Sequence, residues 1–288
     1  MLDRLEALLD RFPLSAHLLE AAQDAPDGPL LAAPAQPVLH LLRGGSVCIL
    51  PERGEALRID VPSLVLFARA QPHHLQLAAG TKLDRVTAAV HFEAGAGNPV
   101  AEALPSPVCL PLAALMGGEA LLEVLFDEAF TRRCGRQVLL ERLLEAVLIQ
   151  LLRTLMEGGQ IQIGLLAGMG HPRLRHALVA MHEHPAQDWS LQALAERAGM
   201  SRSAFAESFR AVIGSTPGHY LQLWRTRLVQ QALRRGHPLK RIASEVGYGS
   251  EAALSRAFKA QTGQSPRQWK QAGQRAASGR WRPLVVTL

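Results

Sequence analysis

The sequence predicts an α+β chain: an N-terminal antiparallel β-sandwich or barrel followed by helices, then an all-α C-terminal domain that carries two helix-turn-helix units. Three observations predict it. Between residues 37 and 115 short apolar or alternating runs are broken by Gly, Pro and Asn, the pattern of closely spaced antiparallel strands. From Gly117 onward these breakers thin out and helix formers take over. Finally, one segment of the last third is written twice. A length of 288 residues, with 48% hydrophobic and 19% charged side chains, exceeds the ~100–150 residues of a usual single domain and suits two folded ones.

In chain order, residues 2–9 form an amphipathic helix candidate, with Leu2, Leu5, Leu8 and Leu9 at helical spacing. A Pro- and Ala-rich loop follows. The runs VLHLLRG, SVCILP, ALRIDVPS, LVLFARA, HHLQLAAG, VTAAVHFEAG and VCLPLAAL then read as strands of a domain over residues 1–115. Residues 116–158 form a helical region, GEALLEVLFDEAF and then RQVLLERLLEAVLIQLLRTLMEGG. In the second helix Leu140, Leu144, Val147, Leu151 and Leu155 recur every three or four residues, flanked by Leu139, Leu143, Leu148 and Leu152. That stripe is wider than one-sided packing needs. Such a helix lies under the sheet or meets its own copy, and the dimer is the favoured expectation because a basic C-terminal half suits two-fold binding to DNA. Residues 159–170 are the expected linker, 171–272 the DNA-binding domain and 273–288 a tail.

Charge divides the chain more sharply than the net +6 suggests. Up to Gly170, 13 basic residues stand against 19 acidic ones; after it, 18 stand against 6. Only the second half is built to meet a polyanion. No apolar run reaches the ~18 residues of a membrane span, and MLDRLEALLDRF is too charged for a secretory leader, so a cytoplasmic protein without a membrane partner is expected.

The doubled segment pairs SLQALAERAGMSRSAFAESFRAVIGSTPGHYL, from Ser190, with PLKRIASEVGYGSEAALSRAFKAQTGQSPRQWK, from Pro238. Leu191, Ala195 and Gly199 match Leu239, Ala243 and Gly247. After one inserted residue Phe205, Phe209, Gly214, Pro217 and Tyr220 match Leu254, Phe258, Gly263, Pro266 and Trp269. Each copy reads as helix, tight turn, helix. Ser201 and Ser250 suit N-caps, Gly214 and Gly263 suit the left-handed residue after a helix, and Pro217 and Pro266 suit the first turn of the next.

With the aromatic and leucine pairs facing inward, Arg202, Ser203, Ala206 and Glu207 look outward from one second helix, and Glu251, Ala252, Ser255 and Arg256 from the other. Small, polar and basic side chains on a narrow stripe fit a major groove, where Arg grips guanine, Glu accepts from cytosine and Ala touches a thymine methyl. Ser201, Arg210, Arg225, Arg227, Lys240, Arg241, Ser250, Lys259 and Arg267 are the candidate phosphate contacts.

Residues 171–270 resemble the DNA-binding domain of the AraC/XylS family of bacterial transcription regulators, and IASEVGYGSEAALSRAFKAQTGQSPRQW resembles its C-terminal signature. The resemblance implies seven helices holding two helix-turn-helix units, with base contacts from the eight outward residues just named. The N-terminal part, through VPSLVLFARAQPHHLQL and NPVAEALP, resembles the cupin-type sensory domain of one branch of that family. It implies a homodimer on double-stranded DNA, with RNA polymerase and a small-molecule effector as further candidate partners. Some related sensors place cysteines near the strand that here reads VTAAVHFEAG; this chain has alanines there.

Catalysis is not expected. No G-x-S-x-G elbow, Ser/His/Asp order or G-x-x-x-x-G-K loop occurs. His73, His74, His91 and Glu93 are the residues from which a cupin metal site would be drawn, but neighbours on a strand point to opposite faces, so no metal and no cofactor is expected. Cys48 and Cys109 read as buried small hydrophobes. Cys134, after Arg132 and Arg133, is the candidate redox-reactive thiol. The competing readings are a metal-dependent cupin enzyme with an accessory DNA-binding domain, and a non-specific architectural DNA-binding protein.

Overall fold

The computed structural model describes residues 3–25, 28–32, 36–52, 54–78, 80–159 and 161–278. Two compact units divide the chain: Leu8–Gly170, and His171–Leu288 together with Met1–Ala7. Leu2 and residues 279–288 of the expected tail lie outside the described residues.

The first helix, α1 (Glu6–Arg11), begins where Asp3 Oδ1 accepts the backbone N–H groups of Leu5 and Glu6, both at 3.0 Å. Nine strands follow: β1 (Leu14–Ala25), β2 (Gly28–Ala32), β3 (Val38–Arg43), β4 (Val47–Pro51), β5 (Leu57–Ile59), β6 (Ser63–Phe67), β7 (His73–Leu77), β8 (Leu83–Phe92) and, after a short helix α2 (Pro99–Ala103), β9 (Val108–Pro111). One sheet runs β1-β8-β3-β6-β9 and the other β2-β7-β4-β5, and every pairing is antiparallel. β3, with VLHLLR buried at five of six positions, is the middle strand of the larger sheet and covered on both faces, as its run of four apolar residues interrupted only by the buried His40 requires. β7 alternates buried and exposed, as a strand with one wet face must.

All seven runs read as strands lie on strands. Two further strands, β1 and β2, occupy stretches the sequence did not mark, one of them in the expected loop. LSAHLLEAAQDA has little β-branched content; its extended form is imposed by pairing along most of β8. Cys109 is a second correction: on β9 the burial pattern alternates, and the thiol is on the exposed side, while Cys48 is half-buried.

Helices α3 (Gly118–Phe130) and α4 (Arg136–Glu157) pack against each other and against β1. The expected dimer stripe of α4 is corrected here. Leu140, Leu144, Val147 and Leu151 have no exposed surface and Leu155 has 3%, within a single chain. Those side chains are spent on the chain's own core, so they cannot meet a second copy. The outward face of α4 instead carries Val138, 64% exposed, and Leu139, 44% exposed. The expected linker is also shorter than its composition suggested: α5 (Leu165–Gly170) buries Leu165, Leu166 and Met169 and packs on α4 and α2.

The second unit is helical: α6 (Leu174–Glu183), α7 (Leu191–Arg197), α8 (Arg202–Ile213), α9 (Pro217–Arg234), α10 (Leu239–Glu245), α11 (Glu251–Thr262) and α12 (Pro266–Ser278). α12 runs six residues into the stretch expected as tail. The long α9 touches α8, α10, α11 and α12 and so joins the two repeats. Around it, His182 stacks on Trp224 at 4.0 Å between ring centroids, and Phe209 meets Tyr220 edge-on at 5.7 Å. Phe258 meets Trp269 edge-on at 6.1 Å in the second repeat. Among the described residues no helix is long and apolar enough to cross a membrane.

Candidate nucleic-acid interface

Each repeat is made by the same local chemistry. Ser201 Oγ accepts the Ala204 N–H at 3.3 Å and Ser250 Oγ accepts the Ala253 N–H at 3.1 Å, so α8 and α11 start at the same place in their copies. Gly214 and Gly263 end them at φ of 84° and 73°, the left-handed conformation that glycine adopts without strain. Pro217 and Pro266 then open α9 and α12, each after a hydroxyl cap, Thr216 and Ser265. Within the helices Phe205, Phe209, Leu254 and Phe258 are buried, and Ala195 and Ala243 are buried under them.

That burial leaves Arg202, Ser203 and Glu207 exposed on α8 with Ala206 half-exposed, and Glu251, Ala252 and Arg256 exposed on α11 with Ser255 half-exposed. The two stripes occupy equivalent helical positions. Of the candidate phosphate contacts, Ser201, Arg210, Lys240, Arg241, Ser250, Lys259 and Arg267 are exposed and Arg227 is half-buried; Arg241 forms a 2.7 Å ion pair with Glu245 one turn on.

Arg225 departs from the expectation. Its Nε donates to the Pro185 carbonyl at 2.7 Å and its Nη2 to the Gln187 carbonyl at 2.9 Å, so the guanidinium is tied into the fold rather than offered to solvent. Sequence spacing could not show this, because the two acceptors are backbone atoms forty and thirty-eight residues away.

The N-terminal unit contains a polar group of which the sequence singled out only His73. His73 Nδ1 lies 2.7 Å from the Gln71 carbonyl, which only accepts, so that nitrogen carries the proton and Nε2 is the acceptor. His40 Nε2 therefore donates across 2.8 Å to His73 Nε2, and His40 Nδ1 accepts from the Thr87 hydroxyl at 3.0 Å. Both rings are neutral. Burial, then the neighbouring His73 and Arg85, push His40 down to about 3, and burial lowers His73 as well. On β8 beside Thr87, the buried Arg85 is held by Glu20 at 2.6 Å. Arg85 Nε and Nη1 and Glu20 Oε2 are buried with no hydrogen-bond partner among the described residues. The signal for this group was a histidine, an arginine and a threonine at alternate positions of apolar strands, VLHLLR and LDRVTAAVHF.

His73 and His74 do face opposite sides of β7. Among the described residues no three His, Cys, Asp or Glu side chains come together as a metal site. Cys134 is exposed in the turn between α3 and α4, with Arg133 engaged by Asp127 at 2.7 Å and Glu128 at 3.2 Å.

A two-sheet N-terminal unit joined to a doubled helix-turn-helix defines the class of a DNA-binding regulator with an attached cupin. A family model described as a helix-turn-helix domain matches residues 194–272, and one described as a cupin matches residues 3–157, more than half of the chain. An AraC-like transcription regulator of Streptomyces lividans is 33% identical over 79% of this chain and 78% of its own length. One of Streptomyces antibioticus is 35% identical over 70% and 68%. The HTH-type transcriptional regulator AlkR of Acinetobacter baylyi is 35% identical over 63% of this chain, an alignment that spans 61% of AlkR. The chain belongs to the AraC-like transcription regulators with an N-terminal cupin domain.

Proposed function

We propose that this regulator grips double-stranded DNA with α8 and α11 in successive major grooves, reading bases through Arg202, Ser203, Ala206 and Glu207 and through Glu251, Ala252, Ser255 and Arg256. The observation that carries the reading is the repetition itself: two helices with equivalent caps and equivalent buried faces leave equivalent stripes uncovered. Ser201, Arg210, Arg227, Lys240, Arg241, Ser250, Lys259 and Arg267 supply phosphate contacts, which set affinity and salt dependence. Nuclease footprinting on genomic fragments tests it. A protected sequence bound at least ~10³-fold more tightly than scrambled duplex is expected; binding of all duplexes within a few-fold would make the protein architectural instead.

The sensory half is assigned to the N-terminal unit. Arg85 Nε and Nη1 and Glu20 Oε2 give a small ligand with oxygen acceptors and a hydroxyl donor three buried partners. Thermal shift over a panel of such compounds, with Arg85→Met as the control, tests this assignment. Self-association through the outward face of α4 is supported by the exposure of Val138 and Leu139 there; sedimentation of Leu139→Glu tests it, with a monomer expected. The protein works in the cytoplasm on promoters served by RNA polymerase, and it has no catalytic step.

A further inference from the structure

We propose that Arg225, with Gly247 and Tyr248, is the joint that fixes the separation and angle of the two helix-turn-helix units, so that the spacing of half-sites on DNA is chosen by residues that touch no base. The inference rests on the reading of α8 and α11 as groove helices.

Three segments meet at one point. Residues 185–187 form the loop by which the chain leaves α6 and enters the first repeat. Arg225, in the middle of α9, donates to the carbonyls of Pro185 and Gln187. The same guanidinium carbon lies 5.8 Å from the ring centre of Tyr248, which follows the turn glycine of the second repeat. The turn itself presses on the loop: a Cβ at Gly247 would overlap the Ala186 carbonyl oxygen and lie 2.8 Å from Ala186 Cα. First repeat, joining helix and second repeat are thus locked by one planar fork, one ring face and one glycine.

The duplication supplies an internal control. Gly199 holds the matching place in the first repeat, also at positive φ (62°), yet a Cβ there would meet nothing within 4 Å. The turn alone therefore asks only for a left-handed residue. The close approach at Gly247 (φ 83°) is a demand of the second repeat only, and it concerns how the two repeats sit together. Arg suits the joint because its rigid fork serves two carbonyls while its face lies over a ring, which a Lys ammonium cannot do.

One base pair of extra spacing moves a half-site by about 3.4 Å and turns it by about 34°, so a rigid joint tolerates one spacing and a loose joint several. The test uses the full chain and an operator selected by the wild type from random duplex. Affinity is measured for that operator and for versions with one base pair inserted or removed between half-sites. Wild type should discriminate the native spacing by at least about tenfold. Arg225→Met and Arg225→Lys should bring that ratio toward one while leaving affinity for an isolated half-site unchanged, and Gly247→Ala should do the same. Gly199→Ala, also at positive φ but free of the contact, should keep the wild-type ratio. Unchanged spacing preference in folded Arg225→Lys would overturn the proposal. So would an equal loss at every spacing and on single half-sites, which would make Arg225 a phosphate contact. A wild type that selects no operator fails the groove reading itself, a separate outcome.

Discussion

Arg256 lies on the exposed face of α11, one turn after Ala252 and two residues before the buried Phe258. A guanidinium there can reach N7 and O6 of a guanine, so Arg256→Ala should weaken operator binding and relax preference at one base pair by about 1–3 kcal/mol. An equal fall on operator and on scrambled DNA would make it a phosphate clamp. Inside the N-terminal unit the decisive residue is His40, held down to about 3 from an ordinary 6.5. The unfolded chain takes up that proton near the ordinary value, so between the two values it binds more protons than the folded chain. Stability is therefore intact above about pH 6.5 and falls as the pH drops, by about 1.4 kcal/mol per unit for one such group. His73 adds to the fall in the same sense. Urea unfolding followed from neutral pH down to about pH 5 reads the slope, and His40→Asn should flatten it. The same slope in wild type and variant would remove His40 from the account.

At the scale of elements, what could be read from the sequence was whatever local chemistry decides. The caps Ser201 and Ser250, the glycines Gly214 and Gly263 and the inward pairs of α8 and α11 all act within one or two turns of their own position, and all stand where the sequence put them. Seven strands were legible because alternation and breakers are local too. β1 was not, since LSAHLLEAAQDA is extended only through its pairing with β8, some seventy residues away. α4 shows the same limit from the other side. A wide apolar stripe looks alike whether a sheet or a second helix covers it, and only the fold shows that β1, α3 and α5 do so. Leu144→Ala should then cost about 2–5 kcal/mol of stability with the oligomeric state unchanged, read by urea melts beside sedimentation. Phe258→Ala should cost about 3–5 kcal/mol and open the second repeat, seen as a lowered circular-dichroism melt.

For the whole molecule, the partition of charge decides how DNA binding responds to salt. The segment up to Gly170 carries an excess of acidic groups and the segment after it a surplus of twelve basic ones, so attraction to phosphate comes from one unit while the other adds none. Each phosphate contact releases counterions and contributes about −0.9 to the slope of log affinity against log salt. Lys259 is exposed in the last turn of α11, one turn beyond the base-reading residues Ser255 and Arg256. Lys259→Ala should lower affinity alike on operator and on random duplex and make the slope shallower by about one. Arg225→Met removes the same formal charge from the same unit, but its guanidinium is occupied by the Pro185 and Gln187 carbonyls, so the slope should stay as in wild type. Titrations of both variants across a salt series separate the two kinds of arginine and lysine. Equal flattening by both would mean that the junction around α9 opens when DNA binds and hands its guanidinium to a phosphate.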